Sequence, residues 1–309
     1  MPADIYVVTD GGMRNLATGD VVPDQPSSGG GLVGIYNGST PGSDDAVITA
    51  SGITFDTGST YYNAGQNLLG ALDLERLARG QIPLVGMASK NYQGGGPTSF
   101  MDWAGIGAGE FDAKITTWGN QLAAYDTEIW FAFEIEPEVK MNRGDVPSTW
   151  TEAEFAAAFR RIVSIMRPLC PKVQFCFWVG GSDTAKIAQM WPGDEWVDRF
   201  GWDPYVTGTN PSTNTPTQEW SSFKTWATNQ GWDMSIPHGL FECGFDRGHG
   251  TAAAITFWEA APSAFKDLGL SHITMFNRDS GPNTNAEILD QSVWDAYGAA
   301  MRAIQAGEG

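Results

Sequence analysis

Positive charge is scarce in this sequence. Its 309 residues contain 18 Lys and Arg against 36 Asp and Glu, so the formal net charge at pH 7 is −18. A surface of that sign repels nucleic-acid phosphates and anionic lipid headgroups. We therefore expect neither a nucleic acid nor a membrane surface as a partner.

Cysteine and long apolar runs are also scarce. Cys170, Cys176 and Cys243 form no C-x-x-C pair and lie in or beside apolar runs, so we interpret them as small buried hydrophobic residues. No stretch approaches the ~18 apolar residues of a membrane span, and the N-terminus lacks the basic and apolar regions of a signal peptide. We expect neither feature.

Motifs of several enzyme classes are missing. There is no G-x-S-x-G, no H-E-x-x-H and no cysteine with a matching histidine motif, which disfavours serine, zinc and cysteine hydrolases. The glycine-rich stretch at 105–109 has the wrong spacing for a dinucleotide loop and follows no predicted strand. These patterns predict neither a metal nor an organic cofactor.

Glycine and tryptophan, by contrast, are abundant, with 38 and 13 residues. These numbers indicate many loops that carry flat aromatic surfaces. Residues 1–28 are polar and rich in turn residues after one short β-like run, which predicts an N-terminal arm or linker. The main domain is then expected to span residues 29–309.

Within this domain, short apolar runs alternate with segments of helical periodicity, which is typical of repeated βα units. Eight runs are predicted to be strands, at 32–36, 53–55, 83–87, 129–134, 173–179, 199–202, 240–243 and 272–276. Helices are predicted near 66–79, 112–124, 151–167, 185–190, 216–229, 251–267 and 288–306. Eight units over about 275 residues match a (β/α)8 TIM barrel, which typically has ~250 residues. An open doubly wound sheet is the competing α/β fold.

Reactive groups of such a barrel lie at the C-terminal ends of its strands. Two predicted strands end on a carboxylate after apolar residues, namely Glu134 and Glu242. Burial raises the pKa of a carboxyl group unless a nearby cation restores its charge. Two carboxylates that face each other across a barrel mouth are the equipment of glycoside hydrolysis.

The ordered series of motifs resembles the glycoside hydrolase family 26 group of endo-β-mannanases and related glycanases, over roughly residues 30–280. The motifs are GQIPLV at 80–85, FD at 111–112, FAFEI at 131–135, WPGDEWVD at 191–198, GWDPY at 201–205 and PHGLFECG at 237–244. The resemblance implies that Glu134 is the general acid/base, that Glu242 is the nucleophile and that Tyr205 lies near the nucleophile. Phe133 and Glu136 depart from the family, which usually has His and Asn at these positions.

Other residues compete for roles at the site. Alternation along an extended strand would place Glu136 on the same side as Glu134, which makes it the rival for the acid role. Arg247 and His249 follow Glu242 in a glycine-flanked loop, where they either contact substrate or are solvated. Three tryptophans at strand ends or in loops are candidates for stacking on sugar rings: Trp150, Trp178 and Trp202.

The sequence therefore predicts a retaining, endo-acting glycoside hydrolase that cleaves a polysaccharide, β-mannan-like or a bacterial surface glycan, by double displacement and without a cofactor. The alternative is a carbohydrate-binding adhesion module on the same barrel that has lost turnover, as Phe133 and Glu136 suggest. A polysaccharide hydrolase normally acts outside the cell, yet this sequence shows no signal peptide. Either the signal was removed by engineering, or the protein belongs to a virion. We favour the second, a bacteriophage tail enzyme attached to a larger assembly through residues 1–28.

Overall fold

The computed structural model describes residues 6–9, 12–15, 30–93, 96–207, 214–279 and 285–308. Eight parallel strands form a closed barrel, in which each strand pairs with the next and the last pairs with the first. In chain order, β1 to β8 are Leu32–Tyr36, Thr57–Asn63, Ile82–Ala88, Ile129–Phe133, Val173–Val179, Arg199–Trp202, His238–Phe245 and His272–Phe276. The closed barrel confirms the (β/α)8 prediction over the open doubly wound sheet.

Helices connect the strands on the outside of the barrel. In the described part of the chain, α1 to α10 are Ser43–Ser51, Ala71–Ala78, Trp103–Ala108, Asp112–Ala123, Pro137–Arg143, Glu152–Met166, Thr184–Met190, Pro216–Gln230, Thr251–Asp267 and Gln291–Gln305. The sequence did not predict α1, α3 or α5, because these helices have nine residues or fewer and do not repeat apolar residues at helical spacing. Single turns of 3-10 helix cover Asp194–Trp196 and Arg247–His249.

Strand β2 lies several residues after its predicted position at 53–55. Its sequence, TGSTYYN, contains few aliphatic residues, yet most of it is buried. Among the buried hydroxyls, Thr57 Oγ1 donates to the carbonyl of Ile82 at 2.7 Å and Thr60 Oγ1 to Asp73 Oδ1 at 2.7 Å, whereas Ser59 Oγ has no hydrogen-bond partner among the described residues. Threonine and tyrosine favour strands, so the correct signal was β propensity rather than hydropathy.

The core has two layers. Outward side chains of the strands pack against the helices, and a smaller cluster fills the barrel interior. The interior residues are Ile82, Leu84, Trp130, Ala132, Cys176, Trp178 and Phe241. All three cysteines are free and buried, as expected.

Three small β elements accompany the barrel. Tyr6–Thr9 pairs with Gly12–Asn15, and Lys90–Gln93 pairs with Gly96–Phe100, both antiparallel. Tyr205–Val206 adds a short parallel pairing to β7. Among the described helices, none is long and apolar enough to cross a membrane.

A buried ion-pair network ties α1 and α2 to β2. The fully buried guanidinium of Arg76 donates to Asp44 at 2.9 and 3.2 Å, to the carbonyl of Ser59 at 2.9 Å and to Thr60 Oγ1 at 2.8 Å. Asp73 lies 3.8 Å from the same group. Strand β2 carries a residue of the candidate site described below, so this network stabilises the strand that positions that residue.

Candidate active site

Strand β7 carries Glu242 into the mouth of the barrel. Leu240 and Cys243 pack outward, and Phe241 packs inward. The pairing of β7 with β8 shifts register between Leu240 and Cys243, so β7 has one residue more than β8 there. Such a bulge re-aims side chains, which explains why Glu242 also faces the mouth.

Two tyrosine hydroxyls hold the Glu242 carboxylate. Tyr205, which follows β6, donates to Oε2 at 2.5 Å, and Tyr61 of β2 donates to Oε1. Burial and the charge of Glu242 raise the pKa of both tyrosines well above the ordinary value, so both remain donors at neutral pH. Tyr205 thus lies where the family resemblance expects it.

Burial and the neighbouring charge of Glu136 raise the pKa of Glu242 to about 7, although the two tyrosine hydrogen bonds act in the opposite direction. The side chain is only 8% exposed. Glu242 is therefore a poorly hydrated carboxylate whose charge is held by oriented donors. This is the environment of a reactive carboxylate rather than of a surface ion pair.

Asp203, directly after β6, joins this group. Its Oδ1 accepts the backbone N–H of Glu242 at 2.9 Å, and its Oδ2 accepts the indole N–H of Trp178 at 2.6 Å. Burial and the charges of Glu242 and Glu136 raise its pKa well above the ordinary value. Asp203 fixes the backbone at Glu242 and adds a second carboxyl group beside it.

Glu134 follows the last residue of β4, and both of its carboxyl oxygens have hydrogen-bond partners. Its Oε1 accepts from Lys140 Nζ at 2.7 Å and its Oε2 from the backbone N–H of Ser89 at 2.8 Å, on the β3 side of the barrel. The carboxyl is fully buried. Burial favours a higher pKa, yet Lys140 and Ser89 outweigh it and hold the pKa below the ordinary value.

Glu136 points the other way, which corrects the expectation that it shares a side with Glu134. Both residues have positive φ, +51° and +49°, so the chain is not extended there. The backbone N–H of Glu136 donates to the carbonyl of Trp178 on β5 at 3.0 Å, and its carboxyl hydrogen-bonds to Asp203. Burial raises the pKa of Glu136, opposed by Arg143 and Lys140.

A further buried carboxyl, Glu138, lies beside Glu136. Its Oε1 accepts the N–H of Gly181 at 2.9 Å, whereas Oε2 accepts no hydrogen bond from the described residues. Burial raises its pKa to about 7. A Cβ at Gly180 would lie 3.1 and 3.3 Å from the Glu138 and Glu136 carboxyls and 2.5 Å from Val139. Only glycine permits this approach of β5 to the carboxyl groups.

Burial corrects the roles expected for two tryptophans. Trp202 faces outward on β6 and packs against Phe223, and Trp150 packs against Trp103, both with under 10% of their surface exposed. Neither indole presents a face to a sugar ring. Trp178 points into the barrel, is only 2% exposed and donates a hydrogen bond to Asp203. It therefore lies below the site and helps to position Asp203.

The loop after β7 lies beside the site. Arg247 lies 3.9 Å from Glu287 and is a wall residue of a cavity of about 460 Å³ on the flank of the barrel. His249 is buried, and its ring packs against Phe245. Substrate contacts by these two residues remain predictions.

A second cavity, of about 270 Å³, adjoins the nucleophile candidate. It is lined by Tyr61, Tyr62, Asn63, Gln66, Gly86, Ala88, Ile135 and Lys140. Tyr61, which also hydrogen-bonds Glu242, connects this cavity to the nucleophile candidate. Nowhere in the described ranges do three or more His, Cys, Asp or Glu side chains form a group that could hold a metal ion.

Sequence reasoning missed Tyr61, Asp203 and Glu138 as site residues. Tyr61 was missed because β2 was placed too early. Asp203 lies within GWDPY, so the most specific motif already contained it. Glu138 carried no signal beyond its nearness to Glu134 and Glu136.

The fold is shared with barrel glycosidases. A family 26 β-mannanase from Bacteroides ovatus is similar over 89% of this chain and 89% of its own, with 16% identity and a TM-score of 0.59. A modular endo-β-1,4-mannanase from Cellulomonas fimi is similar over 91% of this chain and 74% of its own, with 16% identity and a TM-score of 0.60. A family 5 xyloglucan-specific endo-β-1,4-glucanase from a metagenomic library is similar over 92% of this chain and 93% of its own, with 13% identity and a TM-score of 0.54.

These identities are low, so the comparison establishes the fold and leaves the reaction to the residues of the site. No protein-family model and no curated protein sequence matches the chain. The chain is thus a (β/α)8 barrel of the kind found in families 26 and 5, with several buried carboxyl groups at its mouth.

Proposed function

We propose that this protein is a retaining glycoside hydrolase that cleaves a polysaccharide within the chain, with Glu242 as its nucleophile. The observation that carries the proposal is the Glu242 carboxylate, buried at the barrel mouth, held by two tyrosine hydroxyls and close enough to Glu136 for the two charges to interact. Double displacement needs such a pair, one carboxylate to attack and one carboxyl to protonate the leaving oxygen. The barrel similarity to mannanases and glucanases supports the substrate class.

In this mechanism Glu242 attacks the anomeric carbon while an acid from the segment after β4 protonates the leaving oxygen. The same group then deprotonates the water that releases the sugar. The resemblance assigns this second role to Glu134. For a retaining enzyme, the carboxyl groups of Glu134 and Glu242 are predicted to lie about 5–5.5 Å apart.

The test is a panel of β-mannans, β-glucans, xylans and bacterial cell-wall glycans, assayed for new reducing ends. Proton NMR of the first product then reports the anomeric configuration. Retention supports the proposal. Inversion, or release of reducing ends from none of the glycans, contradicts it.

If the wild-type protein binds a glycan of the panel but cleaves none, this result would instead support the second candidate, a carbohydrate-binding adhesion module. The ion pair between Glu134 and Lys140 favours this alternative if Glu134 is the only possible acid. Binding isotherms on the same glycan panel separate the two functions.

Tyr61→Phe and Tyr205→Phe each remove one hydrogen bond to the Glu242 carboxylate. In each variant the acidic limb of the plot of kcat/KM against pH is expected to move to higher pH. The nucleophile must be ionised, and removal of a donor to its charged form raises its pKa. A hydrogen bond to a charged group is worth about 1.5–3 kcal/mol, so activity at pH 5 should fall by roughly tenfold or more.

The matched control is Tyr62→Phe, because the Tyr62 hydroxyl donates to Asp73 rather than to Glu242. Its acidic limb should stay in place. An unchanged limb in both Tyr61→Phe and Tyr205→Phe would show that Glu242 is not the titrating nucleophile.

We further propose that residues 1–28 form an attachment arm of a virion-associated enzyme that acts outside the cell. Chain 29–309 is then expected to melt at the temperature of the full chain and to hydrolyse glycan at the same rate, because eight strands already close the barrel without the arm. Side-by-side melting and hydrolysis assays check this. A large loss of both would place part of the catalytic fold in the arm.

A further inference from the structure

We propose that Glu136, positioned by Asp203, is the catalytic acid/base, and that Glu134 is a structural residue that anchors the segment after β4. This assignment rests on the hydrolase function proposed above. It departs from the position that the motif resemblance indicates, and it follows from three features of the described residues: access, the place of the proton and backbone conformation.

Access separates the two glutamates. Glu134 has no exposed surface, and both of its oxygens are occupied by Lys140 and Ser89. A glycosidic oxygen cannot contact this carboxyl unless the ion pair breaks. Glu136 is partly exposed and lies on the side of the mouth that holds Asp203 and Glu242. Only Glu136 can therefore contact a bound substrate without rearrangement.

The pair of Glu136 and Asp203 holds a proton. A hydrogen bond between two carboxyl groups requires that one of them carry a proton. Burial raises the pKa of both groups, and more strongly that of Asp203. A general acid must hold a proton in the resting enzyme, and this pair can deliver one to a substrate through Glu136, its partly exposed member.

Backbone conformation provides the third argument. Positive φ is uncommon in residues other than glycine and strains the backbone, so it persists only where the surrounding structure holds it. Glu134 and Glu136 both adopt it, with Ile135 between them packed on the interior cluster. The two reversals direct Glu134 to the β3 side and Glu136 to the β5 side. The strain thus turns Glu136 toward Asp203 and Glu242.

The charges balance through both steps of the reaction. Glu242 attacks the anomeric carbon, the bond from that carbon to the leaving oxygen breaks, and the Glu136 proton goes to that oxygen. The Glu242 charge disappears into the ester as one charge appears on the pair of Glu136 and Asp203, which has given up its proton. Glu136 then takes a proton from water, the water oxygen attacks the anomeric carbon and Glu242 leaves as a carboxylate.

The test compares Glu136→Ala with its matched control Glu134→Ala on a cleaved glycan and on 2,4-dinitrophenyl β-mannobioside and β-cellobioside. We expect Glu136→Ala to lose about 10²–10⁴-fold in kcat/KM on glycan and far less on the dinitrophenyl glycosides, whose leaving group needs no proton. Azide should accelerate this variant and yield the β-glycosyl azide. Glu134→Ala should slow all substrates by the same factor and show no azide rescue.

Azide rescue of Glu134→Ala together with no rescue of Glu136→Ala would overturn the assignment. A wild-type protein that cleaves neither the dinitrophenyl glycosides nor any glycan overturns the proposed function itself. Thermal unfolding of each variant identifies a folding defect, in which case the glutamine variants replace the alanine variants.

Infrared difference spectroscopy tests the proton without requiring turnover. At pH 7 the carbonyl band of the protonated carboxyl in the pair should change in Glu136→Gln and persist unchanged in Glu134→Gln. An unchanged band in Glu136→Gln would overturn the claim of a shared proton. Asp203→Asn removes the member of the pair with the more strongly raised pKa, so Glu136 alone holds the proton and the alkaline limb of kcat/KM should move to lower pH. A merely structural role for Asp203 would leave that limb in place.

Discussion

Glu242→Gln is expected to lower turnover on a cleaved glycan by roughly four to six orders of magnitude, as loss of a covalent nucleophile does elsewhere. The amide keeps the shape of the side chain and can still contact Tyr61 and Tyr205. It cannot form the glycosyl-enzyme. Glycan binding should therefore survive while the chemical step is lost.

The measurement has two parts. Initial rates and binding isotherms are compared for wild type and variant, and a 2-deoxy-2-fluoro glycoside is used to trap the covalent intermediate on the wild-type peptide that contains Glu242. Asp246→Asn, the same carboxyl-to-amide change in the loop that follows, is the matched control. Asparagine keeps one oxygen that can accept an N–H group, so only one of the hydrogen bonds from Gly248 and Asn285 is lost. Near-normal turnover in Glu242→Gln would assign the nucleophile to another residue.

The largest expected effect on stability comes from Arg76→Met. This change leaves Asp44 buried without its cation, and Ser59 and Thr60 lose their donor. Breaking a buried ion pair by removal of one partner typically costs about 3–5 kcal/mol. The free energy of unfolding, measured by urea denaturation, should fall by that amount.

Arg79→Met is the matched control from the residue just after α2. Arg79 pairs with Asp45 and Glu75 at the surface, where such pairs contribute about 0–1 kcal/mol. If the two variants lose equal stability, the buried network does not support β2 as described. Because Tyr61 lies on that strand, Arg76→Met should also weaken activity at temperatures where the variant is still folded.

Strand positions were predictable where hydropathy and β propensity agree. Strands β1, β5, β6 and β8 lie where the apolar runs placed them. Strand β2 does not, because it buries polar residues, and some of their hydroxyls bind tertiary partners such as Asp73. A polar strand of this kind carries no hydropathy signal. The helices missed by the sequence were likewise short, with tertiary contacts rather than periodicity to hold them.

The amino-acid sequence by itself determined the barrel architecture, because eight strand and helix units can bury their apolar faces in few other ways. It also placed Glu242 at the C-terminal end of a strand, since its position along the chain decides on which end of the barrel it lies. These two inferences depend on local pattern alone, whereas Tyr205 was expected near Glu242 only from the family resemblance.

Only the tertiary structure decided the direction of each side chain. Period-two alternation puts Glu134 and Glu136 on one side, and two left-handed residues reverse that result. The same holds at Glu242, where a bulge turns the side chain into the mouth. Lys140 lies six residues after Glu134 and forms an ion pair with it, and Asp203 lies after another strand and shares a proton with Glu136. Backbone reversals and long-range charge contacts are set by packing, so local sequence pattern does not encode them.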